Sequence, residues 1–242
     1  MQDKIIEERI TFINDEGLQL AGVLAYPESI EPKYAVLLCS PHPHFAGNMD
    51  NNVICEIARE LAMHAVTLRF DYRGVGDSQI NLPGGLSIFD YWSDIEETKN
   101  YTDAVKDVSA AAHTLYSAIG ELDIPFSVIG YSFGAATGLL YGHENENVSG
   151  MVAIAPPLGK VSFEFLPDCS KPGLFLIGTG DFLYSEEKSE QLRNTIASHI
   201  MVEVLENADH FFRGDENILA RKVDNFIRNN VIFDTRRISD AI

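Results

Sequence analysis

Hydrophobic positions along this chain follow two periods, and the switching between them predicts the architecture. Ile5 to Ile13 and Leu18 to Tyr26 are strand-like runs around the turn Asn14-Asp15-Glu16-Gly17, which predicts an N-terminal antiparallel hairpin. Ala35-Val36-Leu37-Leu38-Cys39 is apolar at every residue, as a strand covered on both faces should be. Val53, Ile54, Ile57, Ala58 and Leu61 then recur at helical spacing. The alternation continues with strands at 65–70, 126–129, 148–154, 173–178 and 201–205. Helices are expected from about Thr102 to Ile119, from Ser185 to Ala197, and from Asp215 to Asn230. This order predicts a mostly parallel, twisted α/β sheet with helices on both faces, in one domain over residues 1–242. The segment from Leu82 to Asn100 is the least regular. Pro83-Gly84-Gly85 breaks it, and Ser93-x-x-Glu96 offers a capping box. The tail from Val231 to Ile242 receives no assignment.

The most informative stretch joins a strand to a helix. Phe126-Ser127-Val128-Ile129 leads into Gly130-Tyr131-Ser132-Phe133-Gly134, and a small-residue run from Ala135 to Gly142 follows. G-x-S-x-G between a buried strand and a helix is the context a nucleophile elbow requires. There the serine occupies a backbone region costly for any residue with a Cβ, and flanking glycines remove side chains that would clash. The hydroxyl of Ser132 then points into a cleft at the C-terminal end of the sheet, with the Phe133 N–H aimed at the same place.

Composition narrows the setting. The 242 residues are 45% hydrophobic and 22% charged, ordinary for a globular protein, and the formal net charge is −18. Such a surface repels nucleic acid and anionic membranes, so neither is expected as a partner. Cys39, Cys55 and Cys169 are odd in number and lack metal-type spacing. The first residues contain no apolar core of a secretory signal, and no stretch approaches the length of a membrane span. A cytoplasmic location is therefore the expectation.

A serine hydroxyl is a weak nucleophile and needs a base held in the right tautomer by a carboxylate. In a parallel sheet these groups gather at the C-terminal strand ends. Asp181 follows the strand at 173–178 within Gly178-Thr179-Gly180-Asp181, and His210 follows the strand at 201–205. Asp168 and Asp209 are rival acids: Asp168 follows a loop rather than a strand, and Asp209 is the chain neighbour of His210. Among the other histidines, His64, His113 and His143 fall on helices or their ends, and His199 precedes a strand. His42-x-His44 invites a metal reading, but a catalytic zinc site needs about three protein ligands and no third is evident nearby, so no metal is expected. Gly74-x-Gly76 lacks a third glycine at Gln79 and is not a dinucleotide fingerprint.

The order Ser132, Asp181, His210 resembles the α/β-hydrolase superfamily. The resemblance includes Asp71-Tyr72-Arg73-Gly74-Val75-Gly76-Asp77-Ser78, similar to the family's D-x-R-G-x-G-x-S loop. The His42-Pro43-His44 loop with Gly47-Asn48-Met49-Asp50-Asn51 resembles small bacterial hydrolases. The resemblance implies an α/β-hydrolase fold and a catalytic triad of Ser132, Asp181 and His210. It also implies an oxyanion hole from the backbone N–H of Phe133 and of His44, with Phe45 as the second choice, since Pro43 has no N–H. It implies no cofactor.

Only about twenty residues separate the strand ending near Ile154 from the next, too few for the helical cap common in the family. Phe45, Phe182, Leu183 and Phe211, with Phe133, flank the catalytic groups and are expected to line a small apolar pocket with few charges. The function expected is hydrolysis of a small carboxylic ester or thioester through an acyl-enzyme. An acyltransferase, amidase or peptidase would use the same parts. A non-catalytic scaffold on this fold is expected to have lost its nucleophile or base, and neither is lost here.

Overall fold

The computed structural model describes residues 4–45 and 47–232; the remainder of the expected tail, 233–242, lies outside the described residues. Eight strands form one sheet: β1 (Ile5–Ile13), β2 (Gln19–Pro27), β3 (Tyr34–Cys39), β4 (Ala65–Phe70), β5 (Phe126–Tyr131), β6 (Val148–Ile154), β7 (Gly173–Gly178) and β8 (Ile200–Leu205). Their order is β1-β2-β4-β3-β5-β6-β7-β8. The expected hairpin is present, β1 pairing antiparallel with β2, and β2 runs antiparallel to β4. Every later pairing is parallel. Six α-helices are present among the described residues: α1 (Asn52–Leu61), α2 (Ile88–Thr98), α3 (Thr102–Ile119), α4 (Phe133–Glu144), α5 (Glu186–Thr195) and α6 (Glu216–Phe226).

The period of two along the strands divides the core. Ala35, Leu37 and Cys39 of β3 face one side, where they meet α3 and α4 through Val108, Ala112, Leu115, Ala135 and Leu139. Tyr34, Val36 and Leu38 face the other, packing on α1 and α6 through Val53, Ile57, Leu219 and Val223. Strands covered in this way must be apolar on both faces, and β3, β5 and β7 are buried at every residue. The edge strand β8 is only partly buried.

Two parts differ from the sequence expectation. The irregular segment contains α2, and its capping box is Ser87 with Asp90, not Ser93 with Glu96. Ser93 lies inside the helix, because Trp92 and Ile95 are its buried positions and the chain must enter the helix earlier to deliver them to the core. Beyond α6 the chain continues as a π-helical turn over Ile227–Ile232, burying Ile227, Val231 and Ile232. The first two residues of the unassigned tail are therefore core. All three cysteines are free.

One buried ion-pair cluster joins three elements. The Arg73 guanidinium is bonded by Asp107 of α3, with Nη2 2.8 Å from Oδ1, and the Arg73 N–H donates to Asp107 Oδ2 at 3.0 Å. Asn14 of the hairpin turn donates to Asp107 at 2.9 Å, and Glu16 takes Arg73 Nη1 at 2.6 Å. Hairpin, 71–78 loop and α3 are thus tied by one cluster. At the far end of α4, the Lys171 ammonium donates to the carbonyls of Gly142, His143 and Asn145, which the helix itself leaves unpaired.

Asp107 is fully buried and Arg73 nearly so, and removing Asp107 leaves the guanidinium with only the partly exposed Glu16 and Asp103 as counter-ions. Asp107→Ala is expected to cost about 3–5 kcal/mol of unfolding free energy. Lys106→Ala, one residue away with a 38% exposed side chain, is expected to cost no more than about 0.5 kcal/mol. Urea titrations of the two variants check this.

Candidate active site

The elbow exists because two glycines let the chain pass close to itself. A Cβ on Gly130 would lie 2.0 Å from the Gly134 carbonyl oxygen, and one on Gly134 would lie 2.1 Å from that of Cys39. Between them Ser132 has φ 54° and ψ −112°, a conformation costly for an L-residue. Its own N–H donates to Ile154 O of β6 at 2.8 Å, which fixes the turn to the sheet. α4 begins at the next residue.

The structure brings the three candidate residues together from separate strand ends. His210 Nε2 lies 3.1 Å from Ser132 Oγ, and His210 Nδ1 lies 2.7 Å from Asp181 Oδ2. Asp181 Oδ1 accepts the Leu183 N–H at 2.7 Å, so the carboxylate is oriented by its own turn. The His210 carbonyl accepts the Tyr131 hydroxyl at 2.7 Å, tying the histidine loop back to the elbow strand. Asp181 and His210 are both buried. The rivals have other partners. Asp209 accepts the N–H of Phe211, Asp168 sits in the short 166–168 turn, and the His199 ring contacts the Cys169 carbonyl. His143 stacks on Phe165.

The loop after β3 departs from the expectation. The His44 N–H, expected as an oxyanion donor, donates instead to His42 Nδ1 at 3.2 Å, and the Phe45 N–H donates to the His42 carbonyl at 2.9 Å. The 43–45 turn of 3₁₀ helix folds these amides back onto His42. Phe133 and His42, both in the wall shared with Ser132, are among the wall residues whose amides have no hydrogen-bond partner among the described residues. The His42 ring is enclosed by Phe133, Trp92 and Phe45, and burial, with the nearby His44, lowers its pKa to about 4. The ring is therefore neutral at pH 7, its Nδ1 serving as acceptor. Among the described residues no three metal-ligating side chains lie together.

A cavity of about 60 Å³ opens at Ser132, lined by His210, Phe133, Phe45, Phe182 and Leu183 among others. Phe45 and Phe182 are 62% and 65% exposed, so they form its rim. Phe211 is not in the wall. Its ring packs against Phe182 and under Arg213, because its N–H is held in the turn by Asp209. Two charged residues that the sequence did not assign to the pocket, Glu96 of α2 and Lys160 of the β6–β7 loop, reach the otherwise largely apolar cavity. No periodic signal marks either residue; only the placement of α2 reveals them.

The strand order, the crossovers and the elbow define an α/β hydrolase. Residues 47–167 match the family model described as serine aminopeptidase, S33, and the chain belongs to that family of hydrolases. An uncharacterised protein of Rickettsia prowazekii is 28% identical over 228 residues, covering 90% of this chain and 88% of its own length. A serine hydrolase homologue from Coxiella burnetii is 26% identical, covers 92% of this chain and 96% of its own, and superposes with a TM-score of 0.74. A serine hydrolase without a lid from Xanthomonas campestris shares the fold with the same TM-score, at 21% identity over 92% of this chain and 94% of its own. No helix among the described residues is long and apolar enough to cross a membrane.

Two outcomes follow from this geometry. Gly134→Ala forces a backbone clash and is expected to yield little folded protein, whereas Gly84→Ala, with nothing within 4 Å, is expected to be neutral or slightly stabilising; yield and melting temperature read both. His42 binds a proton in the unfolded chain near pH 6.5 but in the folded chain only near pH 4. Its depressed folded pKa therefore contributes stability above pH 6.5 that is lost as the pH falls towards 4, with a slope of at most about 1.4 kcal/mol per pH unit. In His42→Gln that fall becomes shallower, as urea unfolding at pH 7, 5.5 and 4.5 measures.

Proposed function

We propose that this hydrolase cleaves small carboxylic esters or thioesters through an acyl-enzyme formed on Ser132. The observation that carries the reading is the pair of hydrogen bonds running from Asp181 through His210 to Ser132 Oγ. Ser132 Oγ attacks the substrate carbonyl while its proton passes to His210 Nε2. The carbonyl π electrons move onto oxygen, and the N–H groups of Phe133 and His42 are the proposed donors to that oxyanion. Asp181 holds Nδ1–H and stabilises the imidazolium. Collapse of the tetrahedral adduct breaks the bond to the alcohol or thiol, which leaves with the proton from Nε2. Water, deprotonated by the same nitrogen, then attacks the acyl-serine; the bond from the acyl carbon to Ser132 Oγ breaks, Oγ takes the proton back from Nε2, and the acid is released.

The small cavity and its aromatic rim favour a short acyl or aryl group at the bond being cleaved. The same relay serves amide cleavage and acyl transfer, and the length of the Ser132–His210 contact does not distinguish them.

Ser132→Ala is expected to remove turnover by on the order of a millionfold, and Asp181→Asn by about ten-thousandfold, both with unchanged far-ultraviolet circular dichroism. An active-site fluorophosphonate should label wild-type protein at Ser132 and leave Ser132→Ala unlabelled. Absence of labelling in folded wild-type protein would overturn the reading. In a series of acyl chains on one leaving group, kcat/KM is expected to rise up to about fourfold per methylene over the first few carbons and then stop. A climb continuing to long-chain esters, with activation at a lipid–water interface, would point to a lipase.

A further inference from the structure

The cavity holding Ser132 has one charged wall. Lys160 Nζ lies 3.3 Å from Glu96 Oε1, and Lys99 Nζ lies 3.1 Å from the same oxygen. One carboxylate thus serves two ammonium groups, so the Lys99–Glu96–Lys160 cluster behind and in this wall carries one excess positive charge on a chain whose formal net charge is −18. Burial raises the Glu96 pKa, but hydrogen bonds and charge from Lys99 and Lys160 outweigh it and hold the carboxyl below its usual range, so it is ionised at neutral pH.

The two lysines are placed differently. Lys99 ends α2 in the left-handed conformation, outside the cavity wall. Lys160 is in the wall. Its backbone is set by a turn in which its N–H donates to the Pro157 carbonyl at 3.0 Å, and by a bridge between Leu158 and Val161. Its side chain remains 49% exposed, with an ammonium free to exchange partners while Lys99 keeps Glu96 neutralised.

We infer that Lys160 is a specificity-determining residue that recognises a carboxylate on the substrate, so that preferred substrates are anionic esters or thioesters. A carboxylate entering the cavity takes a charge-assisted hydrogen bond from Lys160 while Glu96 retains Lys99. A substrate with a protonated amine gains nothing from Glu96, already paired twice, and is repelled by Lys160. Free amino-terminal peptides are accordingly disfavoured. The inference rests on the proposed hydrolase reading of this cavity only for its placement beside the reacting bond.

The test pairs each anionic substrate with its neutral methyl ester. Monoaryl succinate carries the carboxylate on the acyl side, and 4-acetoxybenzoate carries it on the leaving group. Wild-type kcat/KM is expected to favour one of the two anionic members by about tenfold over its neutral partner, and the favoured one tells which side of the bond faces Lys160. Lys160→Met brings that ratio to near one, Lys160→Arg keeps it, and Glu96→Gln raises it. In parallel, Ser132→Ala protein is titrated calorimetrically with monoethyl and diethyl succinate and with 4-acetoxybenzoate and its methyl ester, which reads binding without turnover. Anionic preference in binding but no hydrolysis by wild type supports carboxylate recognition by Lys160 and overturns the hydrolase reading. Hydrolysis with equal rates on anionic and neutral members, a ratio unchanged in Lys160→Met, or a preference for the matching amino ester overturns the inference and leaves the hydrolase reading standing.

Discussion

The site depends on a steric constraint before it depends on any attraction. Gly130 and Gly134 allow β5 to turn into α4 against the end of β3 with backbone contacts that no Cβ permits. The cost of holding Ser132 at positive φ is met by the surrounding order: a hydrogen bond to β6, a fully buried β5, and a helix that is buried along most of its length. A strained residue persists only where its surroundings over-determine it. The parallel sheet supplies that over-determination, because neighbouring strands and helices on both faces leave the elbow no room to relax.

The remaining polar groups then arrive from independent strand ends, and their precision comes from local turns. Asp181 is oriented by the Leu183 amide, His210 by Tyr131 through its carbonyl, and His42 by the fold of its own loop. The Asp181 and His42 contacts are short-range in sequence, while the Tyr131–His210 contact joins the end of β5 to the loop after β8 across two intervening strands. The Arg73–Asp107 cluster works at another scale, fastening the antiparallel hairpin and the 71–78 loop to α3. It does not touch the relay.

Much of this was legible in the residues. Uniformly apolar runs such as Ala35–Cys39 correspond to strands buried on both faces, and G-x-S-x-G between strand and helix marks the elbow. Asp181 and His210 stand out because they follow strands at the sheet's C-terminal edge, as Asp168, His64, His113, His143 and His199 do not, and because Asp209, though it follows the same strand, is the chain neighbour of His210. What was not legible depends on tertiary placement. α2 carries its two buried residues, Trp92 and Ile95, on a short helix entered through Ser87, and no periodic stripe announces it. Whether the amide of His42 or His44 is left open depends on how a three-residue turn closes, which the Pro-His-Pro-His pattern does not encode. Glu96 and Lys160 are sixty-four positions apart and meet only because α2 and the β6–β7 loop share a wall.

The Lys171 contacts with Gly142, His143 and Asn145 give α4 an electrical asymmetry. A helix concentrates partial positive charge at its first turn and partial negative charge at its last. Here the last turn is compensated by a bound ammonium, while the first turn begins at Phe133 with no side-chain cap. The uncancelled pole is the one beside Ser132. α4 therefore acts as a fixed, one-sided field source: it favours negative charge appearing in the cavity and does so without any group having to move when that charge forms.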